Sequence, residues 1–282
     1  MNRRTNPTND PRRGQGRAAS ELPDLGRWVR RVREHRDLSR PEAAGLLKIS
    51  YELLKKIEYG TAPCTLPVLE QMITTYGLDM AQARHTRDLA RTPVSLDPVE
   101  ELRTRPSASD HLSTLSSLDE RGLVGAYIDP LWSLVHANKR FRSELPGIDY
   151  YDDNVSLWFF HPDTTAHTAE SLVVDWDIAA AYLVASLRAA FGIYRQSPQA
   201  QALFEKLCGS VIFTELWNTR LGVAYGYQTE EPLRLCEPGT GELYCVRIHL
   251  GAKGRTHLGT RDTPDLRFCM GYRDPCDPPT HL

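Results

Sequence analysis

Helix-start signals recur so closely between Leu22 and Ala90 that no helix in that stretch can be long. Ser39 followed by Arg40-Pro41-Glu42 reads as an N-cap with proline in the first turn and Glu42 closing a capping box. That helix runs from Pro41 to Leu47. Ser50 caps the next, in which Leu54 and Ile57 point inward and Gly60 ends the run. Thr65 caps a fourth, with Pro67 in its first turn and Leu69, Met72, Ile73 and Tyr76 as its apolar stripe. Upstream, Leu25, Val29 and Val32 share one helical face, and a fifth short helix is expected over Met80–Leu89. Helices this short are stable only when packed on one another, so the segment is expected to form an all-α five-helix bundle.

The charge is divided along the chain. The total is −2, yet residues 1–60 hold 14 Lys and Arg against 8 Asp and Glu, leaving an acidic remainder. A basic end on an acidic body suits a polyanion-binding head joined to a body with another task. Residues 1–19, rich in Arg, Asn, Pro and Gly, read as a disordered basic tail, residues 20–91 as the head, and the proline-rich 92–110 as a linker. Residues 111–275 form the body and 276–282 a terminal tail.

The body mixes periods. Leu123–Ile128 and Trp132–His136 read as strands around Asp129-Pro130, followed by a helix over Ala137–Glu144. Residues 164–192 read as one long helix, with Gln199–Gly209 and Phe213–Thr219 as shorter ones. From Leu233 onward, apolar alternation at 233/235, 243/245, 246/248/250 and 266/268/270 gives further strands, the first turn falling at 237–241. An α+β domain with an antiparallel sheet and inserted helices is expected.

Several function classes are disfavoured. No window approaches the roughly 18 uninterrupted apolar residues of a membrane helix, and no apolar stretch follows the N-terminal arginines, so no membrane partner is expected. Six cysteines without a CxxC pair point to reduced thiols and a cytoplasmic setting, although Cys236 and Cys245 could face each other across a hairpin. GxSxG, GxxxxGK[ST] and strand-following GxGxxG motifs are absent, so no catalytic residue is assigned and no cofactor is expected. His161-Pro162-Asp163 with His167 is a poor metal cluster because its spacing fits no helix face. Five tryptophans and clustered aromatics remain. Phe141, Trp158, Phe159, Trp176, Leu183, Phe213 and Trp217 recur on apolar faces of separate segments, and together enclose either a solid core or an aromatic-walled pocket.

The two helices flanking the tight Lys48-Ile49-Ser50 turn form a helix-turn-helix, a unit whose second helix enters the major groove of double-stranded DNA while the first crosses the backbone. Geometry puts Tyr51, Glu52, Lys55 and Lys56 on its groove face, where Lys56 suits guanine O6/N7 and Glu52 a cytosine amine. The stretch Leu25–Asp79 resembles the phage-repressor-like (XRE-type) family. The likeness lies in Val29-Arg30, Val32-Arg33, Leu38-Ser39, Glu42, Leu46, Ile49-Ser50, Leu54, Ile57-Glu58, Gly60, Pro67, Leu69 and Tyr76-Gly77-Leu78. It implies base-reading positions at Tyr51, Glu52 and Lys56, phosphate contacts at Arg40, Ser50, Tyr59 and Thr61, and a buried ion pair between Arg33 and Glu58. Three positions depart from the pattern: Asp37 replaces a tight-turn glycine, Arg40 a glutamine and Gly45 an alanine.

Residues from about 121 to 248 resemble the MmyB-like ligand-binding domain, a PAS-like fold placed behind such a head. The carrying residues are Trp132, His136-Ala137-Asn138, Phe141, Asn154-Val155, Trp158 to Pro162, Asp175-Trp176, Leu183 to Ala185, Leu187-Arg188, Ser210, Phe213 and Leu216-Trp217. The two resemblances imply a sequence-specific, DNA-binding transcriptional regulator with a lipophilic, fatty-acyl-like small-molecule ligand. The alternative is a body that only dimerises or recruits a protein partner. Regulators of this type read two half-sites, so a homodimer is expected.

Overall fold

The computed structural model describes residues 21–161, 169–226, 233–237, 240–250 and 266–275. Five short helices open the chain: α1 (Leu25–His35), α2 (Arg40–Leu46), α3 (Tyr51–Glu58), α4 (Leu66–Thr75) and α5 (Met80–Ala90). The expected caps set the starts of α2 and α3. The Ser39 hydroxyl accepts from Glu42 N while Glu42 returns to Ser39 N, and Ser50 accepts from Leu53 N. Thr65 stands at the N-cap of α4 without a side-chain capping bond. Asp37 adopts φ +54°, so it fills a left-handed turn that favours glycine. Gly26 answers to a close crossing: a Cβ there would lie 2.6 Å from the Ile57 carbonyl oxygen, so α1 meets α3 backbone to backbone. Trp28, Val32, Leu47, Leu54 and Met72 fill the centre of the bundle.

Residues 92–110 are packed rather than free. They hold α6 (Val99–Arg103) and the start of α7 (Ala108–Glu120), with Leu96 and Leu102 buried. Strands β1 (Val124–Ile128) and β2 (Leu134–Ala137) form a hairpin, followed by α8 (Lys139–Glu144), a 3-10 turn (Ile148–Tyr151) and α9 (Val155–Phe160). The single helix expected over 164–192 is instead α10 (Ala169–Leu172) and α11 (Trp176–Tyr194), separated where Val174 N turns to the Arg234 carbonyl. Then come α12 (Pro198–Leu207), α13 (Val211–Thr219), β3 (Leu233–Cys236), β4 (Leu243–Leu250) and β5 (Arg267–Pro275).

The sheet order is β2-β1-β5-β4-β3, antiparallel throughout. Both faces are covered, which is why all five β1 residues are buried. Val124, Ala126 and Ile128 face the large helical layer, whereas Tyr127 packs with Leu102, Leu115 and Leu118 of α6 and α7. The chain is thus a helical head followed by an α+β body. Helix α11 is long and apolar enough to cross a bilayer by composition, but its Leu187, Ala190 and Phe191 are buried in the body core.

Head and body meet along α5 and α11. A Cβ at Gly192 would lie 2.5 Å from His85 Cε1, so this glycine admits the head at close range. The Arg31 guanidinium donates to the carbonyls of Trp217 and Arg220, Gln82 Nε2 to the Leu221 carbonyl (3.2 Å), and Tyr225 Oη to Asp88 Oδ2 (2.7 Å). Arg31 therefore braces the two parts. The thiols also depart from expectation. Cys245 is disulfide-bonded, while Cys236 is a free thiol. No Cys236–Cys245 bridge forms, because the β3–β4 register sets Arg234 opposite Cys245.

Candidate functional site

Two sites take shape, one in each part. In the head, α3 lays Leu54, Ile57 and Glu58 inward, which leaves Tyr51, Glu52 and Lys56 exposed along the opposite face and Lys55 half-buried beside them. Tyr59 and Thr61 continue that exposed edge past the helix end, the Thr61 hydroxyl donating to the Lys56 carbonyl (3.2 Å). The Ser50 hydroxyl is engaged as the cap of α3 (3.1 Å from Leu53 N), so its side chain fixes the helix start.

Behind this face lies a buried triad. Glu58 accepts from Arg33 Nε (2.5 Å) and Nη2 (3.1 Å), and its other side takes Arg40 Nε (2.6 Å). The Arg33–Glu58 pair is the one the sequence pattern implied; Arg40 as a third member was not foreseen. The Glu58 hydrogen bond raises both guanidinium pKa values above their ordinary level, so both cations share this anion, and Arg33 also reaches Glu34 at 3.3 Å. The triad keeps one net positive charge at the α2–α3 edge. Arg40 also lies over the Tyr59 ring at 5.4 Å, which ties the start of α2 to the loop after α3.

In the body, one face of the sheet, together with α8, α9 and α11, surrounds a cavity of about 770 Å³. This volume lies within the ~300–1,000 Å³ range of small-molecule sites. Phe141, Trp158, Phe159 and Leu183 stand on its wall. Trp176 lies behind Phe159, stacked at 5.3 Å, with its indole N–H buried and without a hydrogen-bond partner among the described residues. Phe213 and Trp217 lie elsewhere. They stack on each other at 5.7 Å and meet Phe204 and Phe191 edge-on, forming a solid aromatic cluster. The seven aromatic and aliphatic candidates thus divide: four wall a cavity and three fill core.

The sheet's contribution to the cavity was not singled out from sequence. Val124, Ile128, Leu235, Val246 and Cys269 line it from four strands. So does Trp132, at the tip of the β1–β2 hairpin. Its φ of +68° is one a bulky residue rarely adopts, and its indole donates to Ser186 Oγ at 3.0 Å. A non-glycine backbone held there costs ~1–3 kcal/mol, so packing and that hydrogen bond must hold the ring against the cavity. Two of the carboxylates at the rim are paired. Asp175 takes Arg234 Nε at 2.6 Å, which holds its carboxyl below the usual range, and Glu144 takes Arg273 Nε at 2.8 Å and the Tyr244 hydroxyl. An apolar chamber of this kind selects by shape and hydrophobicity. Of the metal candidates, His161 alone is described, its ring 4.8 Å from Tyr151; Asp163 and His167 lie outside the described residues.

A short-helix head exposing one capped helix, joined to a body built around an apolar cavity, defines a DNA-binding transcription regulator with a ligand-binding domain. The comparisons agree with that class. Residues 24–86 match a helix-turn-helix domain model, and residues 114–272, more than half of the chain, match the MmyB-like transcription regulator ligand binding domain. The chain belongs to the family of MmyB-like transcription regulators. No curated protein matches it.

Proposed function

We propose that the protein is a sequence-specific regulator whose body binds a lipophilic small molecule with a long acyl-like chain. The observation that carries this reading is the cavity of about 770 Å³ walled by Phe141, Trp158, Phe159, Leu183 and apolar strand residues. The sheet order, with α8 to α13 inserted between β2 and β3, supports the PAS-like description of the body. On DNA, Tyr51, Glu52 and Lys56 read bases, while Arg40, Tyr59, Thr61 and the backbone at Ser50 meet phosphates. The protein acts there as a homodimer on two half-sites about one helical turn apart, or a multiple of it. It works by binding, with no catalytic step.

Native mass spectrometry and a thermal-shift titration with C12–C18 fatty acids test the ligand part. At one hundred times the dissociation constant, the ligand should stabilise by ~2.7 kcal/mol. No co-purified lipophile and no stabilisation across the series would refute it. For the DNA part, Lys56→Ala should relax preference at one base pair by ~1–3 kcal/mol, and unchanged specificity would refute the assignment.

A further inference from the structure

The cavity is not confined to the body. Asp79, Met80, Ala81 and Arg84, all from the start of α5 in the head, line its mouth, facing Ile178 of α11 and the 223–226 segment. These residues lie outside the stretch that matches the ligand-binding model, 114–272. Met80 is 91% exposed and Ile178 69% exposed, so head and body share apolar residues at the mouth that nothing among the described residues covers. Tyr225 links the two functions. It lines the cavity, its ring sits 3.8 Å beneath the Arg84 guanidinium, and its hydroxyl donates to Asp88 of α5 at 2.7 Å.

We infer that the ligand site is a composite of head and body, in which α5 side chains touch the bound lipophile, so that the ligand fastens the DNA-binding head to the sensor. The inference rests on the cavity being the ligand site. A chain longer than the inner chamber leaves through the mouth between Met80 and Ile178. Burying those two residues is then a gain available only while the head is docked as it stands here. A ligand that contacts both parts binds the docked arrangement more tightly than any undocked one, and shifts the population by that ratio. Docking leaves the α3 face open, since Tyr51, Glu52, Lys56 and Tyr59 are all exposed in this arrangement. The ligand therefore sets where the recognition helix is held relative to the body, and through the body relative to a second half-site. By linkage, specific DNA that selects one head position changes ligand affinity by the same factor.

The test uses the full chain and cis-parinaric acid, a fluorescent C18 fatty acid, as the probe. Met80→Glu changes an exposed residue, so it folds. Leu66→Glu, at another exposed apolar head position away from the cavity, is the control. The composite site predicts at least a tenfold rise in the probe's Kd for Met80→Glu and less than a twofold change for Leu66→Glu. It also predicts that the probe slows hydrogen exchange in residues 80–88 of the parent. A parent that binds the probe while Met80→Glu binds it equally, with no added protection in α5, overturns the composite site and leaves the body's ligand role standing. A parent that binds no probe overturns both.

Discussion

Replacing Glu58 by glutamine should destabilise the head severely although it preserves the shape of the side chain. Glu58 is the carboxylate that Arg33 and Arg40 share, and its side chain is fully buried. Glutamine keeps one acceptor oxygen, removes the charge, and turns an N–H₂ group toward guanidinium donors. Arg33, almost wholly buried, then keeps only the half-exposed Glu34 carboxylate, 3.3 Å from its Nη2, as an anionic partner. Removing one partner of a buried pair costs ~3–5 kcal/mol, a large share of the ~5–15 kcal/mol that stabilises a whole domain. At ~2–4 °C per kcal/mol for a chain somewhat shorter than this one, Tm should fall by roughly 6–20 °C. Urea denaturation followed by circular dichroism measures the loss. The double variant Arg33→Met/Glu58→Leu, which removes the buried pair and substitutes apolar volume, should recover most of it. A Glu58→Gln protein within about 1 kcal/mol of the parent would refute the reasoning and make the triad a surface feature.

Trp217→Ala should cost ~3–5 kcal/mol that no lipophile restores, because it opens a void between Phe213, Phe204 and Phe191 and strips the fully buried Arg188 of the ring 4.7 Å from it; chemical denaturation with and without palmitate checks this. Gly45→Ala should stabilise the chain by ~0.5–1 kcal/mol, since a Cβ there meets nothing within 4 Å and α2 gains a better helix former; the denaturation midpoint reports it. Stability should fall on acidification. Burial pushes the His85 imidazole down to about 3, so the unfolded chain takes up its proton below pH 6.5 while the fold refuses it, and up to about 2 kcal/mol is lost between pH 6.5 and 5. Asp129, pushed up to about 6 by burial, works in the opposite sense over the same range, so Asp129→Asn should steepen the acid loss measured by urea titration at each pH.

The head was legible because its signals are local. Ser39 with Glu42, and Ser50 ahead of Leu54 and Ile57, place helix starts within one turn, and the resulting geometry fixes which side of α3 is buried. Gly26 carried a signal that went unread, since a glycine on the inward face of an apolar helix marks a close crossing. The body was legible as a class but not as a site. Helix α9 is six residues with five of them buried, so it has no polar face to set a period; its one sequence mark is Asn154, which caps it through Ser156 N and Leu157 N. The break between α10 and α11 depends on a backbone bond to Arg234, sixty positions along the chain from Val174. The cavity draws on four strands and three body helices, so residues sharing an apolar period fell on both sides of the division between wall and core. The Arg40–Glu58 contact went unread because the two residues lie eighteen positions apart in the chain. The docking of head on body left no periodic trace, since it depends on Gly192 beside His85 and on the Trp217 and Arg220 carbonyls accepting from Arg31.

The most direct test of a ligand-responsive, DNA-binding regulator is the affinity of the full chain for the DNA fragment it selects from a random pool, measured at fixed salt with and without saturating palmitate. The account predicts enrichment of one two-half-site sequence, and a severalfold change in its Kd on adding palmitate while binding to unrelated DNA stays constant. Recovery of no preferred sequence, or of one whose affinity palmitate leaves unchanged, would contradict it.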